Sequence, residues 1–153
     1  DHKWLLYGPA RSGSSFHIDP NANFAWNATV AGRKKWIMYP PSAVPPGVVV
    51  RDTGAMQTEF SLIEWFMTYY DQTKEGDVRP VECVTEGGDL LYVPNGWWHC
   101  VLNVEDSLAI AHNVVSRHNL LPALDFLQQA AGAQPDYDPA DGDVPTSVIY
   151  PDR

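Results

Sequence analysis

The sequence lacks most of the features that mark secreted and membrane-spanning proteins. Its two cysteines, Cys83 and Cys100, show no paired spacing. A disulfide framework is therefore not expected, which favours a reducing compartment, and we expect an intracellular protein of the nucleus or cytoplasm. No window of about 18 apolar residues occurs, so we expect no membrane span. The sequence also has no signal-peptide pattern.

Positive charge is scarce as well. The chain has 10 Lys and Arg residues against 19 Asp and Glu residues, which gives a formal net charge of −9. Binding to nucleic-acid phosphates requires clustered Lys and Arg, so direct nucleic-acid binding is not expected. The acidic balance suits a basic protein or peptide partner. The same charge also keeps a domain soluble, and both interpretations stay open at this point.

Short strand patterns dominate what is present. The 153 residues suffice for one domain with a hydrophobic core. Strand patterns separated by turn residues are KWLLYG, SFHI, FAWNATV, KKWIMYP, RPVECVT, DLLYVP, WHCVLNV and SLAIAHNVV. Helical spacing occurs only in EFSLIEWFMTYY and near LLPALDFLQQAAG. Because strands and helices do not alternate, we predict an all-β core with flanking helices, folded as a cupin-like jelly roll, or double-stranded β-helix.

Two further expectations concern chain organisation. FAWNATV and KKWIMYP resemble the two strands of a hairpin around the turn AGR. The core is expected to span residues 1–131, and residues 132–153 form a tail rich in Pro and Asp that we expect to be irregular.

The stretch SSFHIDP carries the first chemical signal. On a strand, residues two apart face the same side with Cα atoms roughly 6.6 Å apart, so His17 and Asp19 can converge on one ion. His99, in VPNGWWHCVLN, is the candidate third ligand. Two histidines and one carboxylate suit non-haem Fe(II) and the activation of O₂. The alternative is a buried, hydrogen-bonded histidine beside a turn that ends at proline.

The stretch WNATVAGRKKW carries the second signal. A lysine buried near its turn needs an anion, which a dicarboxylate co-substrate would supply. Lys34 and Lys35 face opposite ways, so at most one can point inward, and both could instead be exposed on the turn. Asn27 and Thr29 share one face of the preceding strand. Asn27 also begins a glycosylation sequon, which we discount because that face is expected to be interior.

The two segments GPARSGSSFHIDPNANFAWNATVAGRKKWIMYPP and GGDLLYVPNGWWHCVLN resemble the core blocks of JmjC-domain oxygenases. The likeness runs from about Trp4 to about Phe126 and is nearest to the phosphatidylserine-receptor-like branch, which includes lysyl hydroxylases and F-box-linked JmjC proteins. The resemblance implies a double-stranded β-helix that uses Fe(II), 2-oxoglutarate and O₂. It further implies hydroxylation of a protein side chain, lysine or arginine, and demethylation where the attacked carbon is an N-methyl group.

The resemblance also assigns roles to individual residues. It implies His17, Asp19 and His99 as iron ligands and as the catalytic centre. Its G-x-K turn falls on Lys34, which would pair with the 2-oxoglutarate carboxylate. The matching polar and hydroxyl positions of the co-substrate pocket are Asn27 and Ser14. This chain has Ala111 where close relatives carry a threonine that faces 2-oxoglutarate, so that hydrogen bond is either missing or supplied by Asn113 or water.

Two matters stay open from the sequence. The family's N-terminal part is expected to be missing, so a further segment or a partner chain would cover a sheet edge. The substrate would meet acidic residues of RDTGAMQTEF or the aromatic helix EWFMTYY, although solvation and packing explain both segments equally well. The alternatives are a non-oxygenase metal cupin that uses Zn or Mn, and a non-catalytic JmjC interaction module.

Overall fold

The computed structural model describes residues 2–50, 56–58 and 60–132. The strands are β1 Lys3–Gly8, β2 Gly13–His17, β3 Phe24–Ala31, β4 Arg33–Tyr39, β5 Val48–Val50, β6 Met56–Thr58, β7 Val81–Glu86, β8 Leu90–Val93, β9 Trp98–Asn103 and β10 Ser107–Val114. The helices are α1 Leu62–Thr68 and α2 Leu120–Gly132, with a 3₁₀ turn over Tyr70–Lys74. The predicted tail lies outside the described residues, except for the end of α2.

Eight of these strands form two four-stranded sheets. The first sheet has the order β1-β10-β3-β8, the second has the order β2-β9-β4-β7, and every pairing is antiparallel. Consecutive strands thus alternate between the sheets at the start of the chain, which is the strand order of a jelly roll. The predicted fold is confirmed. The short ribbon β5-β6, which the strand patterns did not predict, forms a separate pair.

The predicted hairpin between β3 and β4 is wrong. β3 pairs with β10 and β8, whereas β4 pairs with β7 and β9, so the turn joins different sheets. Gly32 makes this corner with φ of 75°, and a Cβ atom there would lie 2.1 Å from the carbonyl oxygen of Asp106. Glycine turns serve hairpins and sheet corners alike, so the turn residues alone did not distinguish the two.

The second sheet is buried on both faces. Its inner face meets the first sheet in a core formed by Ala25, Trp36, Met38, Val93 and Val101. Its outer face packs against α1 in a second core formed by Phe16, Ile37, Tyr39, Leu62, Trp65, Trp98 and Cys100. This double burial explains why β4 and β9 have nearly continuous apolar runs. The aromatic helix α1 therefore has a packing role, with Leu62 and Trp65 buried.

The first sheet leaves its outer face open in the described structure. Leu5 and Tyr7 on β1 are 71% and 76% exposed, and Leu90 and Tyr92 on β8 are also exposed. The expectation that a further segment or a partner chain covers a sheet stays a prediction, and this face is where it applies. Among the described residues, neither helix has the length and apolar content required to cross a membrane.

Candidate metal centre and co-substrate pocket

His17, Asp19 and His99 meet at one end of the barrel. One ligand atom from each residue lies within 4.8 Å of the other two, and the described residues contain no other such group of three. The Nε2 atoms of His17 and His99 lie 3.9 Å and 3.8 Å from Asp19 Oδ1. Two imidazole nitrogens and one carboxylate oxygen thus face one point, which is the donor set of a metal site with two histidines and one carboxylate.

Strand pairing places the two histidines, and a turn places the carboxylate. His17 is the last residue of β2 and stands opposite His99 of β9. β2 ends at His17, so strand alternation does not extend to Asp19 as the sequence predicted. The chain instead turns at Pro20, with positive φ angles at Asn21 and Ala22, and the carboxylate still reaches both imidazoles.

Backbone hydrogen bonds orient both imidazole rings. His17 Nδ1 lies 2.8 Å from the carbonyl oxygen of Ser15, and His99 Nδ1 lies 3.2 Å from that of Trp97. A carbonyl oxygen only accepts, so each Nδ1 carries the proton and each Nε2 keeps its lone pair. Both lone pairs belong to the atoms that face Asp19. This arrangement of an outer hydrogen bond that fixes the ligating nitrogen is common in metal sites.

The electrostatics of the cluster favour a bound cation. Asp19 Oδ2 is buried and makes no hydrogen bond among the described residues. Burial raises the pKa of the Asp19 carboxyl, while His17 and the neighbouring Asn113 side chain oppose that rise. Burial, together with His17, holds the pKa of His99 well below its usual value, so His99 is neutral and able to ligate. A divalent cation would satisfy the orphaned carboxylate oxygen, so the donor set fits a metal ion.

We call the inner faces of the two sheets between this cluster and Lys34 the corridor. On β9 the residues of this face are His99, Val101 and Asn103. The strand rise places the Cα atoms of His99 and Asn103 roughly 13 Å apart. On β10 the corresponding residues, counted from the metal end, are Asn113, Ala111, Ala109 and Ser107. Ala109 and Ala111 thus place small side chains in the middle of this face of β10.

Lys34 stands at the far end of the corridor. Its side chain is only 5% exposed, and its Nζ donates a hydrogen bond of 2.8 Å to Asn103 Oδ1. Burial lowers the pKa of Lys34. Lys35 faces the other way and pairs with Glu82, so the prediction that at most one lysine points inward is confirmed. Lys34 forms no ion pair among the described residues, which leaves room for an anion.

The remaining predicted pocket residues lie along the same corridor. Asn27 is 6% exposed, and its Oδ1 has no hydrogen-bond partner among the described residues. A bulge between Ser14 and His17 sets Ser14 opposite Val101 and His17 opposite His99, so both belong to the inner face despite their odd spacing. Asn113 lies beside Asp19, at the metal end. The co-substrate contacts of these residues stay predictions.

Sequence reasoning missed the polar partners of Lys34. Asn103 Oδ1 accepts from Lys34 and from Ser107 Oγ, and Asn103 Nδ2 donates to Ser12 Oγ. A signal for Asn103 was available, because it lies four residues after His99 on a strand and so shares its face. The partnership with Ser107 depends on the turn between β9 and β10, which residue spacing does not fix.

The other histidines lie away from the cluster, as predicted. His112 is on the opposite face of β10 and packs against Trp26 and His2, with ring centroids 5.2 Å and 5.3 Å away. His118 is exposed beyond the end of β10.

Comparison with protein families matches residues 4–114 to the family described as "JmjC domain, hydroxylase". The chain belongs to this family. The match spans β1 to β10 and so contains every residue of the cluster and the corridor.

Individual relatives agree with this membership. "Arginine-specific demethylase JMJ22" of Arabidopsis thaliana is 52% identical over 84% of this chain and 26% of its own length. "Bifunctional arginine demethylase and lysyl-hydroxylase psr-1" of Caenorhabditis elegans is 39% identical over 78% of this chain and 31% of its own length. "2-oxoglutarate and iron-dependent oxygenase JMJD4" of Homo sapiens is 35% identical over 84% of this chain and 30% of its own length. The chain therefore spans less than a third of these relatives.

Among solved structures, the "Drosophila melanogaster CENP-C cupin domain" aligns with a TM-score of 0.46 and 9% identity, over 74% of this chain and 60% of that chain. The jelly roll itself follows from the strand order of the two sheets.

Proposed function

We propose that this domain is the catalytic core of an oxygenase that depends on Fe(II) and 2-oxoglutarate and hydroxylates a lysine or arginine side chain of a protein. One observation carries the proposal: a cluster of two imidazoles and one carboxylate shares the inner faces of the two sheets with a buried lysine that forms no ion pair among the described residues. An oxygenase of this class needs both the metal cluster and the lysine, because its co-substrate chelates the metal and extends a second carboxylate away from it. Membership of the JmjC family supports the same chemistry.

The cluster would hold the iron through His17 Nε2, His99 Nε2 and one oxygen of Asp19. Bound there, Fe(II) supplies the activation of O₂ that couples oxidative decarboxylation of 2-oxoglutarate to oxidation of a substrate C–H bond. The protein keeps both imidazoles in the ligating tautomer through the carbonyl groups of Ser15 and Trp97. Trp36, whose ring stacks 6.4 Å from that of His99, helps to keep water from the inner side of the cluster.

The far end of the corridor would bind the second carboxylate of the co-substrate. Lys34 supplies the positive charge, and its burial strengthens the attraction because little water screens it. Asn27, whose side-chain oxygen has no hydrogen-bond partner among the described residues, lies on the facing sheet and can orient its amide toward the same ligand. These residues fix the position of the co-substrate, and the metal ligands fix its other end.

The proposed substrate is a protein segment that presents lysine or arginine. The net charge of −9 favours a basic partner, and relatives carry names that refer to arginine demethylation and lysyl hydroxylation. Hydroxylation of an N-methyl carbon gives a hydroxymethyl amine that releases formaldehyde, so one oxidation accounts for both activities. Most of the loop RDTGAMQTEF, one predicted substrate surface, lies outside the described residues.

The test is co-substrate turnover by the full chain supplied with Fe(II), 2-oxoglutarate and air. We expect succinate to form with equal consumption of O₂, and a basic peptide library to gain 16 Da or to lose a methyl group. An Asp19→Ala variant should form no succinate, whereas His112→Ala should match the wild type. A metal cupin of another class would bind Zn or Mn and form no succinate. An interaction module would bind peptides without turnover.

A further inference from the structure

A buried chain of hydrogen bonds joins the two sheets next to Lys34. Trp36 Nε1 donates to Thr85 Oγ1 at 3.0 Å, and Thr85 Oγ1 lies 2.9 Å from Thr29 Oγ1. Thr29 and Thr85 are 2% and 5% exposed, so water does not supply further partners freely. The chain begins on β4, passes through β7 and ends on β3, where it bridges the second sheet to the first.

These three hydrogen-bonded side chains carry one more donor hydrogen than their two hydrogen bonds use. The indole N–H and the two hydroxyls hold three protons, and the two contacts consume two of them. The indole can only donate, so Thr85 Oγ1 accepts from it. If Thr85 then donates to Thr29, the Thr29 hydroxyl proton is free; if Thr29 donates to Thr85, the Thr85 proton is free. Neither hydroxyl makes a further hydrogen bond among the described residues.

The position of the spare donor matches the position of the lysine. Thr85 and Asn103 stand directly opposite Lys34 in the two strands that flank β4, so all three share the inner face. Thr29 stands opposite Ala109 of β10, and Asn27 stands opposite Ala111. Thr29 is therefore the next residue after Asn27 on the inner face of β3, in the direction away from the metal cluster. The buried Lys34 ammonium and the buried unused O–H are both hydrogen-bond donors at the same end of the corridor. An anion with several lone pairs can accept from both.

We propose that the Thr29–Thr85 pair supplies the neutral hydrogen-bond donor for the distal carboxylate of the co-substrate, with Lys34 supplying the charge. This inference rests on the proposed function and names a binding residue that the family motif does not indicate. It also accounts for Ala111, because a hydroxyl from β3 or β7 makes one on β10 unnecessary. The preferred order of donation is Trp36 to Thr85, Thr85 to Thr29, and Thr29 to the carboxylate.

Calorimetric titration of the Mn(II)-loaded full chain tests this directly, since Mn(II) permits binding without turnover. Thr29→Val removes the hydroxyl and keeps the shape, and we expect it to weaken 2-oxoglutarate binding by about ten- to a hundredfold, the loss of one hydrogen bond to a charged group. Thr29→Ser keeps the hydroxyl and should bind nearly as the wild type does. Thr73→Val is the matched control, because Thr73 is equally buried but donates to the carbonyl oxygen of Tyr70, outside the barrel.

A second ligand separates the distal carboxylate from the rest of the site. 2-Oxopentanoate keeps the metal-chelating end and lacks the distal carboxylate, so Thr29→Val should not weaken its binding. Equal 2-oxoglutarate affinity in wild type and Thr29→Val would overturn the inference while leaving the proposed function intact. Failure of the wild type to bind 2-oxoglutarate at all would overturn both. If Thr29→Val does not fold, Thr29→Ala gives the same comparison, with Thr29→Ser as the rescue.

Discussion

Lys34 Nζ donates a 2.8 Å hydrogen bond to the side-chain oxygen of Asn103, and this amide is its only hydrogen-bond partner among the described residues. A neutral amide solvates an ammonium group less well than water or a carboxylate does. Burial therefore lowers the pKa of Lys34, because the amide only partly replaces the lost hydration of the ammonium group. Such a group costs stability, and a bound anion would restore it.

Replacing Lys34 by Met should raise the stability of the protein and abolish its binding of 2-oxoglutarate. The variant removes the uncompensated charge and keeps most of the side-chain volume, so we expect the ligand-free melting temperature to rise by about 2–4 °C, equivalent to about 1 kcal/mol. The same variant should lose 2-oxoglutarate binding. Thermal unfolding with and without the co-substrate measures both effects.

Lys35→Met is the matched control for that experiment. Lys35 forms an ion pair with Glu82, which also accepts a hydrogen bond from the Tyr70 hydroxyl. Removing the Lys35 ammonium leaves the Glu82 carboxylate with the Tyr70 hydrogen bond but without its ion pair. We expect lower stability and unchanged co-substrate binding. If the two variants lose 2-oxoglutarate binding equally, the assignment of Lys34 as the anion partner is wrong.

Removal of any single metal ligand should abolish tight metal binding. His17→Ala, Asp19→Ala and His99→Ala are each expected to weaken Mn(II) binding more than the ten- to hundredfold that outer-shell changes typically cause. His112→Ala serves as control, because His112 packs on the outer face of β10 against Trp26. Electron paramagnetic resonance of free Mn(II) reports the bound fraction. Unchanged binding in the Asp19 variant would exclude the cluster as the metal site.

Asn103→Asp should convert the anion pocket into an internal ion pair. The new carboxylate would stand where the amide oxygen now accepts from Lys34, and it would compete with the co-substrate for the same charge. We expect 2-oxoglutarate affinity to fall at least about tenfold, while binding of 2-oxopentanoate is unchanged. Calorimetry with both ligands measures the difference. Equal losses for the two ligands would indicate a general distortion of the corridor instead.

The corner at Gly32 should be intolerant of any side chain. Gly32→Ala introduces a Cβ atom against the backbone of Asp106 at a positive φ, and we expect a loss of about 3 kcal/mol or more in the free energy of unfolding. Gly88 also has a positive φ, but a Cβ atom there would meet nothing within 4 Å, so Gly88→Ala should cost only about 1–2 kcal/mol of backbone strain. Urea unfolding gives both values. Similar losses in the two variants would show that the close approach of Gly32 to Asp106 adds no cost beyond backbone strain.

The sequence predicted the parts of this structure that depend on local pattern. Alternating apolar residues indicated the strands, and H-x-D with a distant histidine indicated the cluster that the structure assembles. The family resemblance added the choice of Lys34 over Lys35. What the sequence did not predict depends on pairing between distant strands. The corner at Gly32 looked like a hairpin, and the partners Asn103, Ser107 and Thr85 came together only through the registers of β4, β7, β9 and β10.

Anaerobic addition of 2-oxoglutarate to the Fe(II)-loaded full chain, followed by admission of O₂, tests whether the metal cluster and Lys34 bind one co-substrate together. We expect a weak visible absorption band from the iron chelate of 2-oxoglutarate, absent in Asp19→Ala and in Lys34→Met at limiting co-substrate. Oxygen should then discharge the band and yield succinate. A wild-type chain that binds Fe(II) but shows neither the band nor succinate would contradict the proposed function.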